Sequence, residues 1–285
     1  MNPIILVAES GSDIKPEAAK KHDIHIVPMH VAYGGQTRDD GSFPVSEMFE
    51  HYAKTRDLPR TSGCTPHDFE EAFDRLQKEY PGQPILHLAY SACTTCSMQS
   101  AVLAAEDREG ILSVDTKHVS VGQAAVVLAV YAYLQENPDC TMEQAVQYAL
   151  EIREKVQMCF LPKNLDYLRA GGRVSNAAAM MGNFLGLHPC IEILDGRLMA
   201  KKKYRGALTK VVPKLIHEYS EKNALQKDHI RFIWSPGVPD DLKRLAEETA
   251  AELGFKKVTW MRTGCVITCH GGPGAFGIVG TAANG

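Results

Sequence analysis

The sequence predicts an α/β fold, an N-terminal parallel-sheet α/β/α domain followed by a second α+β domain with a mixed sheet. Three observations carry this expectation. Short apolar runs of strand length alternate with helical segments through the first half of the chain. That alternation breaks near Met158–Lys163, after which a hairpin and two further strand–helix units follow. No internal repeat, low-complexity segment or long linker interrupts the 285 residues, a length that fits one large or two medium domains. The expected division is residues 1–160 and 161–285, with the final residues allowed to return to the first domain.

Taken in order, Ile4–Ala8 reads as a buried strand, and Pro16–Lys21 as a short helix with proline at its start. Ile24–Val31 is the next strand, closed by the turn signals Gly34-Gly35 and Asp39-Asp40-Gly41. Val45–Lys54 is helical with Ser46 as cap. Thr65-Pro66-His67-Asp68 is a strong helix start, because Thr65 and Asp68 have capping-box spacing and Pro66 suits the first turn. The helix ends at Pro81-Gly82. Ile85–Tyr90 and Ile111–Val114 are strands, each followed by a helix, at about Ser97–Asp107 and Val121–Glu136. The second of these is apolar on all sides and therefore buried. Thr141 and Gln144 cap the helix Glu143–Gln157.

Beyond the boundary, Leu165–Arg169 and the apolar Ala177–Leu185 are helical, separated by Gly171-Gly172-Arg173. Cys190–Leu194 and Leu198–Lys203 form a hairpin around Asp195-Gly196. Leu208–Lys222 and Asp240–Leu253 are helices, and Ile230–Trp234 and Lys257–Arg262 are strands.

Composition excludes several function classes. The chain is 45% hydrophobic and 23% charged with a net charge of −3, ordinary for a globular protein and unsuited to a polyanion. Nucleic acid is therefore not expected as a partner. The longest apolar stretch, Ala124–Leu134, is too short to span a bilayer, so no stable membrane insertion is expected. The N-terminal apolar run lacks a positively charged flank and reads as a strand rather than a leader. A cytoplasmic location and reduced thiols for the 8 cysteines follow as expectations.

Three loops concentrate the polar chemistry. The first, Arg60-Thr61-Ser62-Gly63-Cys64-Thr65-Pro66, leads hydroxyls into a helix N-terminus. The second, Tyr90-Ser91-Ala92-Cys93-Thr94-Thr95-Cys96-Ser97, sits at the carboxyl end of a strand of the parallel sheet, where ligands bind in this architecture. Both offer hydroxyls, free amides and a favourable dipole to an anion; both equally fit ordinary capping. The third runs from Thr263 to Ala275 and sets His270 among Gly264, Gly271, Gly272 and Gly274. A polar side chain so placed is either a ligand contact or a surface residue on a turn. Cys93-x-x-Cys96 also admits a redox or metal reading, with Cys64, Cys265 and Cys269 in the other two loops. No Walker loop, nucleophile elbow, zinc-protease helix or spaced acid–base pair occurs, so no catalytic residue, metal site or cofactor is assigned.

Together the loops resemble the DegV family of bacterial fatty-acid-binding proteins. The family patterns T-S-Q-P-S, S-S-x-L-S-G-T-Y-x-S-A, L-x-x-L-x-x-G-G-R and G-x-x-I-G-x-H-x-G-P-G-A correspond here to Thr61–Thr65, Ser91–Ala101, Leu165–Arg173 and Gly264–Ala275. The departures are Gly63-Cys64 for Gln-Pro, Thr95-Cys96-Ser97-Met98 for Ser-Gly-Thr-Tyr, and Glu9-Ser10 for the N-terminal Asp-Ser pair. The resemblance implies a non-enzymatic carrier that buries a long-chain fatty acid. It implies a head group meeting Thr61, Ser62, Ser91, Thr95, Cys96 and His270, with Cys96 narrowing the pocket mouth. It implies a partner too, an ATP-dependent fatty acid kinase that makes an acyl phosphate, with Arg173 and Arg205 on the partner-facing surface. The apolar segments 124–134 and 177–187 are candidate tunnel walls. Burying about 14 methylenes at about 0.8 kcal/mol each supplies roughly 11 kcal/mol before ordering costs. The alternatives that remain are a cysteine-based redox or metal-binding enzyme and a carrier of another small carboxylate.

Overall fold

In a computed structural model, residues 4–163, 165–174 and 186–283 are described. The first half runs β1 (Ile5–Glu9), α1 (Pro16–Lys21), β2 (Ile24–Val27), β3 (His30–Tyr33), β4 (Gln36–Asp39), α2 (Val45–Thr55), β5 (Arg60–Ser62), α3 (Pro66–Glu79), β6 (Ile85–Ala89), α4 (Ser97–Ala105), β7 (Ile111–Asp115), α5 (Ser120–Glu136) and α6 (Met142–Lys155). Strands β2, β1, β6 and β7 form a parallel sheet in that order. The period of two along β1 decides what packs where. Leu6 and Ala8 join a core with Ala124, Val127, Val130, Ala145 and Ala149 of α5 and α6. Ile5 and Val7 face the opposite way, toward Phe69, Phe73 and Leu76 of α3 and Ala101 and Ala104 of α4. The sheet is thus covered on both faces, as its unbroken apolar strands require.

The expected capping boxes form in full. Thr65 Oγ1 accepts from Asp68 N while the Asp68 carboxylate accepts from Thr65 N, and Thr141 and Gln144 do the same at α6. Ser46 does not cap α2; Pro44 occupies the N-cap without a side-chain bond. The single strand expected over Ile24–Val31 divides at Pro28, which has no N–H to continue a ladder. Its second half becomes β3, the centre of a separate antiparallel sheet with β4 and β5. The loop expected at Arg60–Ser62 is therefore a strand, held by pairing of Thr61 with Val31.

The second half comprises β8 (Val156–Leu161), α7 (Leu165–Gly171), β9 (Leu187–Leu194), β10 (Arg197–Arg205), α8 (Leu208–Lys222), β11 (Ile230–Trp234), α9 (Asp240–Glu252), β12 (Val258–Arg262), α10 (Cys265–Gly271) and β13 (Phe276–Thr281). A mixed sheet runs β10-β9-β8-β13-β11-β12, antiparallel except for the β11–β12 pair. The hairpin turns at Asp195 (φ 44°) and Gly196 (φ 77°), the left-handed pair that matches strand twist. β8 already belongs to this sheet, so the change of sheet falls at Lys155–Val156. The last strand, β13, lies inside the second sheet and does not return to the first. The helix expected at Ala177–Leu185, and with it most of the 177–187 tunnel wall, lies outside the described residues.

Alternation again assigns faces. Cys159, Leu161, Phe232 and Ile278 pack outward against Val212, Leu215 and Ile216 of α8 and Leu242 and Ala246 of α9. Met158, Ile191, Ile233 and Val279 face inward and merge with the core of the first half. The two sheets therefore share an apolar interior, and the site lies within it.

Candidate functional site

A narrow cavity lies between the two sheets, with about 80 Å³ of room for the centres of water-sized spheres. The inward positions of the second sheet, Met158, Phe160, Leu198 and Ile233, line one side. Met29, Tyr90 and Val119 line the other, with Val266 and Ile267 of α10 between them. The polar lining comprises Thr61, Ser62, Thr94, Thr95, Arg173 and His270, with Ser120, Ser235 and Thr263 also on the wall. A cavity with apolar walls and clustered hydroxyls suits an amphipathic guest, because the polar head must recover the hydrogen bonds it loses on leaving water.

Each polar group is placed by backbone structure. Thr61 is fixed by the β3–β5 ladder. His270 sits in the last turn of α10, 209 positions away in sequence, and its Nε2 lies 2.9 Å from Thr61 Oγ1. The imidazole Nδ1 is buried with no hydrogen-bond partner among the described residues. An orphaned acceptor is tolerated better than an orphaned donor, so the assigned tautomer carries its proton on Nε2 and donates to Thr61. The Thr61 hydroxyl hydrogen is then free for a guest. Burial, reinforced by the positive charge of Arg173, pushes the His270 pKa down to about 4, so the ring is neutral at pH 7.

Thr95 Oγ1 lies 3.1 Å from Ser97 Oγ, which accepts the Cys64 N–H at 3.1 Å and so ties the second loop to the first. Two glycines make these approaches possible. A Cβ on Gly63 would collide with Thr95 Oγ1 and meet Ser97 Oγ at 2.5 Å, and a Cβ on Gly171 would collide with His270 Nδ1. Gly63, which departs from the family pattern, is thus required where Thr95 and Ser97 stand.

The depressed pKa has a consequence for stability. The folded protein resists protonating His270, whereas the unfolded chain takes up that proton below about 6.5. This contribution is intact above pH 6.5 and is lost as pH falls from 6.5 to about 4, by about 3 kcal/mol in all. Chemical denaturation across that interval should show a shallower decline for His270→Asn than for the parent protein, and parallel declines would refute the assignment.

Two expected ligand groups lie elsewhere. Ser91 is buried and donates to the Gly196 carbonyl at 2.7 Å, which joins the second loop to the hairpin turn and leaves its hydroxyl proton engaged. Cys96 is exposed at the N-cap of α4 and does not line the cavity, so it does not narrow the mouth. The helix expected to wall the tunnel at 124–134 instead buries Ala124, Val127, Val130 and Leu134 in the core behind the first sheet. Arg173 is exposed yet borders the cavity, whereas Arg205 is exposed at the end of the edge strand β10 and borders neither this cavity nor the arginine-lined one beside it.

The thiols of the three loops do not form one cluster. Cys64 reaches the Pro28 carbonyl and Cys265 the Phe43 carbonyl, and burial pushes the Cys265 thiol up to about 12. Cys269 packs against the Met48 sulfur. Only Cys93 and Cys96 are exposed, and among the described residues no three His, Cys, Asp or Glu side chains are grouped to hold a metal. Sequence reasoning also missed the apolar lining. The alternation Met158/Phe160 against Cys159/Leu161 carried that signal, but it fell where a domain boundary was expected.

A second cavity opens on the same polar pair. It is lined by Arg56, Asp57 and Arg60, and shares Thr61, Gly171, Arg173 and His270 with the first.

A family model described as "Uncharacterised protein, DegV family" matches residues 3–282. The chain belongs to the DegV family. The Thermotoga maritima "Fatty acid-binding protein" is 29% identical over 283 residues, covering 95% of each chain. A structure from Thermus thermophilus, titled as fatty acid binding of a DegV family protein, superposes with a TM-score of 0.88 at 25% identity, covering 98% of this chain and 99% of that one. A stearic acid-binding protein from Eubacterium ventriosum shares the DegV fold at a TM-score of 0.82 and 24% identity, with 98% of each chain covered. Among the described residues no helix is long and apolar enough to cross a membrane.

Proposed function

We propose that this protein binds a long-chain fatty acid and carries it, without catalysis of its own, to an ATP-dependent fatty acid kinase in the cytoplasm. The observation that carries the reading is the Thr61–His270 pair in a cavity whose walls are mostly apolar. The carboxylate is held there by the hydroxyls of Thr61, Ser62 and Thr95, with the Nε2–H of His270 donating to Thr61 and so turning the Thr61 hydroxyl hydrogen toward the guest. The acyl chain lies against Met158, Phe160 and Ile233. Relatives named for fatty acid binding, at 29% and 25% identity over nearly the whole chain, support the ligand class.

The arginine-lined cavity on the far side of the pair supports the transfer step. A carboxylate at Thr61 and His270 is reachable from that side while its chain remains buried, and Arg56, Arg60 and Arg173 offer cationic contacts to an incoming phosphoryl group. Arg205 lies apart from this opening and serves, in this reading, as an outlying partner contact.

Mass spectrometry of ligand extracted from the purified protein tests the proposal. Stoichiometric long-chain fatty acid is expected; an empty protein that takes up none in vitro contradicts it.

A further inference from the structure

We propose that Asp13 and Asp40 are positioning residues for the fatty-acid head group, holding α10 by its N-terminus so that its other end delivers His270 to Thr61. The inference deepens the fatty-acid reading and rests on it for its ligand.

Neither carboxylate touches the cavity lining near Thr61. Asp13 follows the short 3₁₀ turn after β1, and Asp40 directly follows β4. Both are buried and both belong to the first half of the chain. They converge on the three free amides that open α10. Asp13 Oδ1 accepts from Gly264 N at 2.6 Å. Asp40 Oδ1 accepts from Cys265 N at 2.9 Å and from Val266 N at 3.3 Å. The second oxygens are also engaged, with Ser120 Oγ donating to Asp13 Oδ2 at 2.5 Å and Ser10 Oγ to Asp40 Oδ2 at 2.8 Å. Ser10 in turn accepts from Met29 N at 3.0 Å, and Met29 is a wall of the cavity.

The geometry leaves α10 little freedom. It is a helix of seven residues, about 10 Å long. A helix this short has no stability of its own and is placed by what grips it. Cys265 and Cys269, one turn apart, seat one side of it on Phe43 and Met48 of the first half. Gly272 follows at φ 71° and ends it. At its far end Ser235 Oγ donates to the carbonyl of the C-cap Gly272 at 2.6 Å and His270 meets Thr61, so the grip on the first turn and this cap together set the imidazole position.

Local strain marks the grip as well. Asp13 (φ 58°) and Ser120 (φ 49°), which bond to each other, both hold left-handed backbone that ordinary residues avoid. Burial pushes the Asp13 pKa up to about 8, against the pull of the Gly264 amide and the Ser120 hydroxyl, with the charge of Asp40 adding to the rise. Burial likewise raises Asp40 above its ordinary range, despite the donors from Ser10, Val266 and Cys265. The fold retains two adjacent carboxyl groups in an unfavourable place, and the amides of α10 are what both of them meet.

The test uses the full-length protein with Asp40→Ala, which removes the acceptor, and Asp40→Asn, which keeps one. Affinity is measured for palmitate and for hexadecanol, which has the same chain and no carboxylate. Asp40→Ala should weaken palmitate about tenfold or more and leave hexadecanol within about twofold, while Asp40→Asn stays near the parent for both. Equal loss for the two ligands means that the pocket has merely collapsed, and unchanged palmitate binding means that α10 does not need the grip; either overturns the proposal. The His270 ring is read by NMR titration in the ligand-free protein, independently of any guest. Its pKa should move up from about 4 toward 6.5 in Asp40→Ala, and an unmoved pKa also overturns the proposal. Absence of palmitate binding by the parent protein, with the His270 shift present, would refute the ligand while leaving the grip intact. Should Asp40→Ala fail to fold, Ser10→Ala withdraws one donor from Asp40 and gives the same two readouts in graded form.

Discussion

Replacing His87 with leucine should destabilise the protein by about 3–5 kcal/mol, the largest effect expected of any single substitution considered. Glu9 and His87 are both 0% exposed in the middle of the parallel sheet, on neighbouring strands, with Glu9 Oε1 and His87 Nε2 3.2 Å apart. Burial drives the Glu9 carboxyl up, yet the charge and contact of His87, the Tyr90 amide at 2.9 Å and the Gln123 side chain at 2.7 Å together hold it below its ordinary range. Leucine fills the volume and packs on Phe69 as the imidazole does, but leaves the fully buried Glu9 carboxylate without the His87 contact that helps hold it below its ordinary range. The sign with pH follows. The stability that Glu9 contributes is complete above its unfolded value of about 4.5 and is lost as pH falls through its lower folded value. Thermal unfolding at pH 7 is the check, with a fall of about 6–15 °C expected for a chain of this size. In exposed pairs such as Lys117–Asp195, where the aspartate side chain is 84% exposed, solvent screens most of the attraction, so Lys117→Ala is the control that should barely move.

Gly63→Ala and Gly171→Ala should each remove most of the affinity for a fatty acid. The added methyl at 63 strikes Thr95 and Ser97; at 171 it strikes the His270 ring. Neither glycine has a left-handed backbone, so the effect is steric rather than conformational. Relief requires Thr95 or His270 to leave its place. The loss of one or two head-group contacts amounts to about 1–3 kcal/mol, or about five- to 150-fold in Kd. Calorimetric titration with palmitate measures it. Gly254→Ala, at an exposed left-handed turn remote from the cavity, separates a general glycine effect from this one: it should lower stability and spare binding. Unchanged palmitate affinity in both site variants would show that Thr95 and His270 do not hold the head group.

What was legible in the sequence was what is encoded locally. Capping boxes are written within four residues, and Thr65–Asp68 and Thr141–Gln144 both form. The hairpin turn needs two left-handed residues, and Asp195-Gly196 supplies them. What escaped depends on partners distant in sequence. Arg60–Ser62 has the composition of a loop and becomes a strand only because Val31 offers a ladder. The glycine-rich run Thr263–Ala275 hides a helix gripped by Asp13 and Asp40, and the residues just after it form a central strand flanked by β8 and β11.

The same distinction explains the site. Thr61, Ser62, Thr95 and His270 were named through resemblance, and the fold brings them to one cavity. Ser91 and Cys96 were named from the same motif, but one hydroxyl points at the hairpin and one thiol at solvent. A motif records which residues are near a site, and their direction is set by packing. The acyl-chain walls carried no polar signature at all. They differ from ordinary core only in facing a space, which is a property of two sheets together.

The most direct measurement is a structure of the protein loaded with palmitate. The carboxylate should lie within hydrogen-bonding distance of Thr61 Oγ1, on which His270 Nε2 keeps its bond, with its chain running along Met158, Phe160 and Ile233. A head group seated away from that pair, or a chain lying outside the space between the two sheets, would contradict the account.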